Sequence, residues 1–318
     1  MNPLRRVQVT GIAPKFAVLA YSGIVNERLE WFMSTFFTER IKNPNGCTAS
    51  ATIFVTENEQ SCIVQRLFIH GHEIGIGLNP KYSNNWWYRA TEEQWTKETG
   101  WIRDTLSKQT SIPVQSIRGV RSSRVTPGGN NHYKALEKTG FLYDSSIKTE
   151  NILWPITLDF PWEKYSRKCI SGICPNETFP GLWEVPLIPF TQGGQYVLDD
   201  LLFTEKTSKQ ITKFLIKEIE MKLKEDEPIF LNFGETILHS AALRDSIRDI
   251  LKYLSKKKIW IVPMSSLIEW TKRPVIEKDI FSKGEFQCVS RVLVKDCKKR
   301  VNIFFFGEDN QRLLSELL

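Results

Sequence analysis

No stretch of this sequence approaches the roughly 18 consecutive apolar residues of a membrane-spanning helix, so no membrane span is expected. The N-terminal MNPLRRVQVTGIAPKF carries basic residues but no apolar segment of the secretory-signal type. Histidine is scarce, at four residues, and none of the six cysteines forms a CxxC pair, which excludes zinc-finger and thioredoxin-type motifs. A Walker A loop, a dinucleotide fingerprint and a nucleophile elbow are all missing. There is no internal repeat, no low-complexity tract and no linker before about residue 274. Basic and aromatic residues do not alternate as they do on nucleic-acid-binding surfaces, so no nucleic-acid partner is expected.

What is present is an ordinary globular composition over 318 residues, with 41% hydrophobic and 25% charged side chains. The net charge of +7 sits largely in short runs such as Lys256-Lys257-Lys258 and Lys298-Lys299-Arg300, which read as solvated faces. The cysteines, Cys47, Cys62, Cys169, Cys174, Cys288 and Cys297, are even in number and read as disulfides, which places the protein in an oxidising, extracellular setting. Cys169 and Cys174 flank a short glycine-containing loop and are the first expected pair, followed by Cys288 with Cys297. Six reduced, buried thiols are the alternative. Asn176-Glu177-Thr178 is a glycosylation sequon, as suits a secreted protein. Without a leader, the chain reads as a mature or truncated form or an incomplete gene model; otherwise it is intracellular and the disulfide reading fails.

Short, nearly continuous apolar runs at Phe16–Tyr21, Ala51–Val55, Ile117–Arg121, Phe141–Ser145, Trp183–Pro186, Ile229–Phe233 and Ile259–Pro263 read as buried parallel strands. Helical patterns separate several of them, at about Thr91–Lys108, Asn130–Lys138 and Ala241–Lys256. The clearest helix begins at Thr207 with a Thr-x-x-Gln capping box and carries Ile211, Phe214, Leu215 and Leu223 near one face. This alternation implies an α/β fold, and the number of repeats favours a (β/α) barrel over an open sheet. Residues 1–274 would form the barrel, and residues 275–318 a cysteine-bearing C-terminal extension packed on it.

Five segments occur in a fixed order: KNPNGCTASATIFV at Lys42–Val55, GHEIG at Gly71–Gly75, YDSS at Tyr143–Ser146, WPITLD at Trp154–Asp159 and PGLWEVP at Pro180–Pro186. From about Phe16 to Pro274 the chain thereby resembles the animal chitin deacetylases of carbohydrate esterase family 4, the NodB-type polysaccharide deacetylases. EFQC at Glu285–Cys288 is similar to their cysteine-bearing tail. The resemblance implies a distorted (β/α) barrel with its substrate groove at the C-terminal ends of the strands. It also implies a reaction in which a divalent metal, zinc in active members, binds the amide oxygen and a water. An aspartate deprotonates that water and a histidine protonates the leaving amine.

The residues at those positions depart from the family pattern. Where active members end the first strand in TFDD, base then metal ligand, this chain has Ala20-Tyr21-Ser22-Gly23. The His-x-x-x-His pair that supplies the other ligands is replaced by Gly77 and Lys81. The acid histidine position is Gly234, and the third motif, normally Arg-x-Pro-Phe, reads Arg121-Ser122-Ser123-Arg124. A hydroxyl cannot serve as the base, glycine coordinates nothing and a protonated lysine repels a metal, so no cofactor is expected. His239 reads as a surface or core histidine and His72 as a satisfied buried one. An unorthodox site drawing on His72, Glu73, Asp144, Asp159 or Glu235 has no second ligand cluster to support it.

A barrel without the chemistry can still hold sugar. Asn84-Asn85-Trp86-Trp87-Tyr88 is expected in a loop, where the rings could stack on pyranose faces or instead cap the neighbouring helix. Arg121, Tyr143 and Asp144 are further candidates for substrate contact, whereas Trp154 and Trp183 read as packing residues. The leading expectation is a secreted, non-catalytic binder of chitin or a related N-acetylated glycan. An active metal-dependent N-deacetylase and a protein-binding structural module on the same barrel are the alternatives.

Overall fold

The computed structural model describes residues 11–37, 40–58, 60–78, 84–150, 154–165, 169–190, 194–201, 206–289 and 291. Strand β1 (Phe16–Val25) leads into α1 (Glu27–Phe36), β2 (Thr52–Asn58) into α2 (Ser61–Ile69), and β3 (Glu73–Gly77) into α3 (Asn84–Arg89) and α4 (Glu92–Thr110). There follow β4 (Gly119–Arg121), α5 (Gly129–Lys138), β5 (Tyr143–Asp144), β6 (Ile156–Thr157) and β7 (Trp183–Glu184). The remainder is α6 (Ser208–Lys224), β8 (Ile229–Phe233), α7 (Thr236–His239), α8 (Ala241–Lys256), β9 (Trp260–Ile261), α9 (Met264–Lys272) and α10 (Glu277–Ile280).

The strands form one sheet in the order β6-β7-β5-β4-β3-β2-β1-β8, with β9 also paired to β1. Every pairing is parallel except β6 with β7. The sheet curls into a distorted barrel whose described pairings leave a seam between the β6–β7 edge and the β8–β9 edge.

Both faces of β1 are buried, which is why its apolar run is continuous rather than alternating. Phe16, Val18 and Ala20 turn into the barrel to meet Phe54, Tyr143, Val185, Phe230 and Trp260. Ala17, Leu19 and Tyr21 turn outward to the layer beneath the helices. The capping box expected at Thr207 is formed with Gln210, and Thr91 forms a second with Gln94 at the start of α4. Strand β3 escaped the sequence reading because EIGIG carries two glycines. A Cβ on Gly75 would lie 2.9 Å from the Gly119 carbonyl oxygen and 2.9 Å from the Phe54 ring, so the large interior ring requires that glycine.

The disulfide Cys169–Cys174 is present as expected. The expected pairing of Cys288 with Cys297 is overturned: Cys288 bonds to Cys47, 241 residues away in sequence. Residues 275–289 fold beneath the N-terminal end of the barrel. There Phe286 packs 6.0 Å from Phe16 and 5.5 Å from Trp260, ring to ring. The Asn45 side-chain amide donates to the Phe286 carbonyl at 2.6 Å, which sets Cys47 beside Cys288. Cys62 is disulfide-bonded as well, and Cys297 lies outside the described residues.

Candidate functional site

Ser22, Gly77, Arg121 and Asn232 come together where β1, β3, β4 and β8 reach their C-terminal ends, with Gly77 in register with Arg121. Arg121 is the hub. Its Nη1 donates to Ser22 Oγ at 3.0 Å, and its Nη2 to Ser145 Oγ and Asn232 Oδ1, each at 2.9 Å. Its Nε donates to the Ser145 carbonyl at 3.1 Å, and the guanidinium lies 4.3 Å over the Phe54 ring. Burial pushes the guanidinium down to about 10, which still leaves it charged at neutral pH. All of these acceptors are neutral, so Ser22 is held as a hydrogen-bond acceptor to a buried cation, with no carboxylate in its place.

The neighbouring positions are closed sterically. A Cβ on Gly23 would lie 2.6 Å from the Tyr21 hydroxyl and 2.9 Å from Glu235 Cγ, closer than Cβ atoms approach anything. The Tyr21 hydroxyl is fixed there by donating to the Ile24 carbonyl at 2.9 Å, and Glu235 Oε1 by accepting from the Ile24 N–H at 3.1 Å. A Cβ on Gly77 would come within 2.6 Å of the Thr56 methyl group. At Gly234 the carboxylate of Asp199 accepts from two backbone N–H groups, Gly234 at 2.6 Å and Thr236 at 2.9 Å. Lys81 lies outside the described residues.

Tyr143 and Asp144, expected to touch substrate, are fully buried. Tyr143 turns into the barrel interior and Asp144 to the opposite face of the sheet, toward α5, where it meets Glu184 of β7. The Tyr133 hydroxyl lies 3.1 Å from Asp144 Oδ2 and 3.3 Å from Glu184 Oε2, and Ser146 Oγ donates to Asp144 Oδ1 at 2.7 Å. Burial, and then the Asp144 charge, hold the Glu184 carboxyl well above the usual carboxylate range. His132, stacked on Trp95 at 4.1 Å, is lowered by burial. The cluster is a sealed polar core between β5, β7 and α5, positioned beneath the strand ends rather than open at them.

The rings at 86–88 are corrected too. They lie on α3, not in a loop, and Trp87 is buried at 3% exposure, 4.6 Å from Trp95 and 4.7 Å from Trp86. Trp87 is therefore a core residue, while Trp86 and Tyr88 are half-buried. Trp154 packs 5.3 Å from Trp270. His72 is buried, accepts from the Ala51 N–H at 3.2 Å through Nδ1 and is pushed down to about 3 by desolvation. Glu73 accepts from Thr52 Oγ1 and from the Ser265 N–H, capping α9 at the end of the barrel away from Gly77. Asp159 Oδ1 accepts from the Gly181 N–H, so the acidic residues of the unorthodox site are dispersed in separate contacts.

The arginine motif continues into a loop in which Arg124 and Val125 both have φ of 52°, a left-handed conformation rare for a β-branched residue. The small disulfide loop holds it there: Ser171 Oγ donates to the Val125 carbonyl, and Ile173 exchanges backbone hydrogen bonds with Pro127 and Gly129.

No family model matches the chain. It is 25% identical to Chitin deacetylase 1 of Bombyx mori over 302 residues, 86% of this chain and 54% of that protein. It is 26% identical to Chitin deacetylase 8 of Bombyx mori over 279 residues, 82% of this chain and 71% of that protein. This chain is similar to chitin deacetylases. It thus spans about half the length of the first of these relatives. Two solved structures assigned to the polysaccharide deacetylases share the fold. One, from Pseudomonas aeruginosa, superposes with a TM-score of 0.54 at 14% identity, covering 82% of this chain and 92% of its own. The other, from Mycobacterium smegmatis, gives 0.50 at 16% identity, covering 83% and 95%.

Given this similarity, the decisive question is whether the residues present fit a divalent metal. Gly23 and Gly77 offer no donor atom, and the space beside each is filled. Among the described residues no three His, Cys, Asp or Glu side chains converge. Structural and catalytic zinc sites use about three or four such ligands, so the described residues do not fit the ion. The parts that sequence reading missed are the fillers Tyr21 and Asp199 and the partners Ser145 and Asn232. Glu235, considered only as part of an unorthodox site, is a filler as well. Their types were visible, but nothing in a one-dimensional pattern marks a phenol that folds back over the next residue but one.

Proposed function

We propose that this chain binds chitin or a related N-acetylated glycan at the C-terminal end of its barrel without hydrolysing it. The observation that carries this reading is the filled position at Gly23. Its side-chain space belongs to Tyr21 and Glu235, and its neighbour Ser22 serves Arg121. A deacetylase needs a base and a metal-bound water at this point, and the chain offers a neutral hydroxyl and a glycine. The glycan half of the reading draws on the names of the relatives and on the half-buried rings Trp86 and Tyr88. The disulfides support a setting outside the cell, where such a binder would organise a cuticle, matrix or gut lining. Among the described residues no helix is long and apolar enough to cross a membrane.

Three measurements on one purified sample decide the matter: metal content, acetate release from chitin oligomers, and co-sedimentation with insoluble chitin. The expected result is co-sedimentation with neither stoichiometric metal nor acetate. Metal together with acetate would establish an active deacetylase. Failure to co-sediment would remove the glycan and leave a protein-binding module on the barrel.

A further inference from the structure

A second feature lies on the rim formed by the helices that follow β1 and β8. Glu27, Arg28 and Trp31 of α1, Leu238 of α7 and Arg244 of α8 line an open cleft of about 310 Å³. Trp31 keeps 53% of its surface exposed, an unusual state for an indole. It gains its place from helix spacing: Glu27, Arg28 and Trp31 are four and three residues apart and share a face. From the other side the Arg244 guanidinium lies 5.6 Å over the Trp31 ring, anchored by donating to the Leu238 carbonyl at 2.7 Å. Arg28 Nη1 donates to His239 Nδ1 at 3.0 Å, which requires that nitrogen to be unprotonated. Among the described residues both guanidiniums thus meet neutral partners, and neither forms an ion pair. The one acid of the cleft, Glu27, accepts from Gln60 Nε2 at 2.9 Å.

An exposed indole face suits the C–H face of a pyranose, and guanidinium groups present planar donor pairs that match a carboxylate or sulfate. A neutral sugar would use the ring and leave both cations idle. We infer that this cleft binds an acidic saccharide, a pyranose bearing a carboxylate or sulfate, at a site separate from the Arg121 hub. The ring takes the sugar face, Arg28 and Arg244 take the anion, and the Nε2–H of His239, which meets no acceptor among the described residues, can donate.

The test uses the whole chain and four probes: a hyaluronan hexasaccharide, its carboxyl-reduced form, a chondroitin 4-sulfate hexasaccharide and a chitin hexamer, each titrated calorimetrically. At least one anionic probe is expected to bind, at least tenfold tighter than the carboxyl-reduced form. Trp31→Ala and the pair Arg28→Gln with Arg244→Gln should each weaken that binding at least tenfold while chitin co-sedimentation stays unchanged. Carboxylate and sulfate preference is read from the two anionic probes. Trp31 and Arg28 are exposed and Arg244 is half-buried, and an unchanged melting temperature shows that the variants fold. Equal binding of charged and reduced probes, no binding of either anionic probe, or full binding by both variants would overturn the inference. Because chitin is scored separately, this site can fail while the glycan reading above stands, and the reverse.

Discussion

Placing a methyl group at Gly23 tests whether that position is closed. Gly23→Ala would set Cβ 2.6 Å from the Tyr21 hydroxyl, 2.9 Å from Glu235 Cγ and 3.0 Å from Tyr21 Cζ. Glu235 is a flexible side chain and can withdraw. Tyr21 is fully buried and tied to the Ile24 carbonyl, so it cannot withdraw without losing that bond. Overpacking of a closed site costs about 1–3 kcal/mol, and the reduced entropy of the unfolded chain returns ~0.4–1 kcal/mol. The expected net loss is about 1–2 kcal/mol. Tyr21→Phe removes the nearest atom, so in that background the same Gly23→Ala change should cost roughly 1 kcal/mol less, a coupling typical of residues in direct contact. Urea denaturation of the four proteins, with equal slopes, supplies the cycle. A neutral Gly23→Ala, or additive single changes, would show that the site has room and that the steric part of the reasoning is wrong.

Arg121→Gln should destabilise the fold by about 3 kcal/mol, since Ser22, Ser145 and Asn232 lose charged donors in a buried site; a shift under about 1 kcal/mol in the same assay would reduce the hub to an accessory. Removing Cys47–Cys288 by paired serines should cost about 5 kcal/mol and removing Cys169–Cys174 about 2 kcal/mol, because the chain-entropy term grows with the closed loop, here 241 against 5 residues. Reversal of that order in denaturant midpoints would refute the loop argument. Proteolysis at the Arg124–Val125 loop should rise only in the second variant, because that loop rests on Ser171 and Ile173. Glu184 holds its proton above its ordinary value of 4.5 in the folded state, so above that pH the native chain binds the extra proton and stability falls as pH rises, by about 1.4 kcal/mol per unit for one proton. Glu184→Gln should flatten that decline, and an unchanged pH slope would place the proton elsewhere.

The fold was legible because the chemistry of a doubly covered parallel strand writes itself as an unbroken apolar run. Ile229–Phe233 was bounded correctly from that run alone, and Ala241–Lys256 from its period and its ends. That Gly23, Gly77 and Gly234 offer no donor atom was likewise legible from their identities, since a glycine lacks a side-chain ligand in any conformation. What the sequence could not carry were relations between distant segments. Cys47 finds Cys288 because Phe286 packs beneath the barrel against Phe16 and Trp260, a contact with no local signature. Trp87 is a core residue because α3 lays it on Trp95, whereas its neighbours in sequence left stacking on a sugar and capping of a helix equally open. The closure of the space beside Gly23 and Gly77 belongs to this second class. Missing ligands are a matter of composition, but a filled cavity is a matter of which atoms meet. Only the folded chain brings the Tyr21 hydroxyl and Glu235 against Gly23 and the Asp199 carboxylate onto the Gly234 N–H.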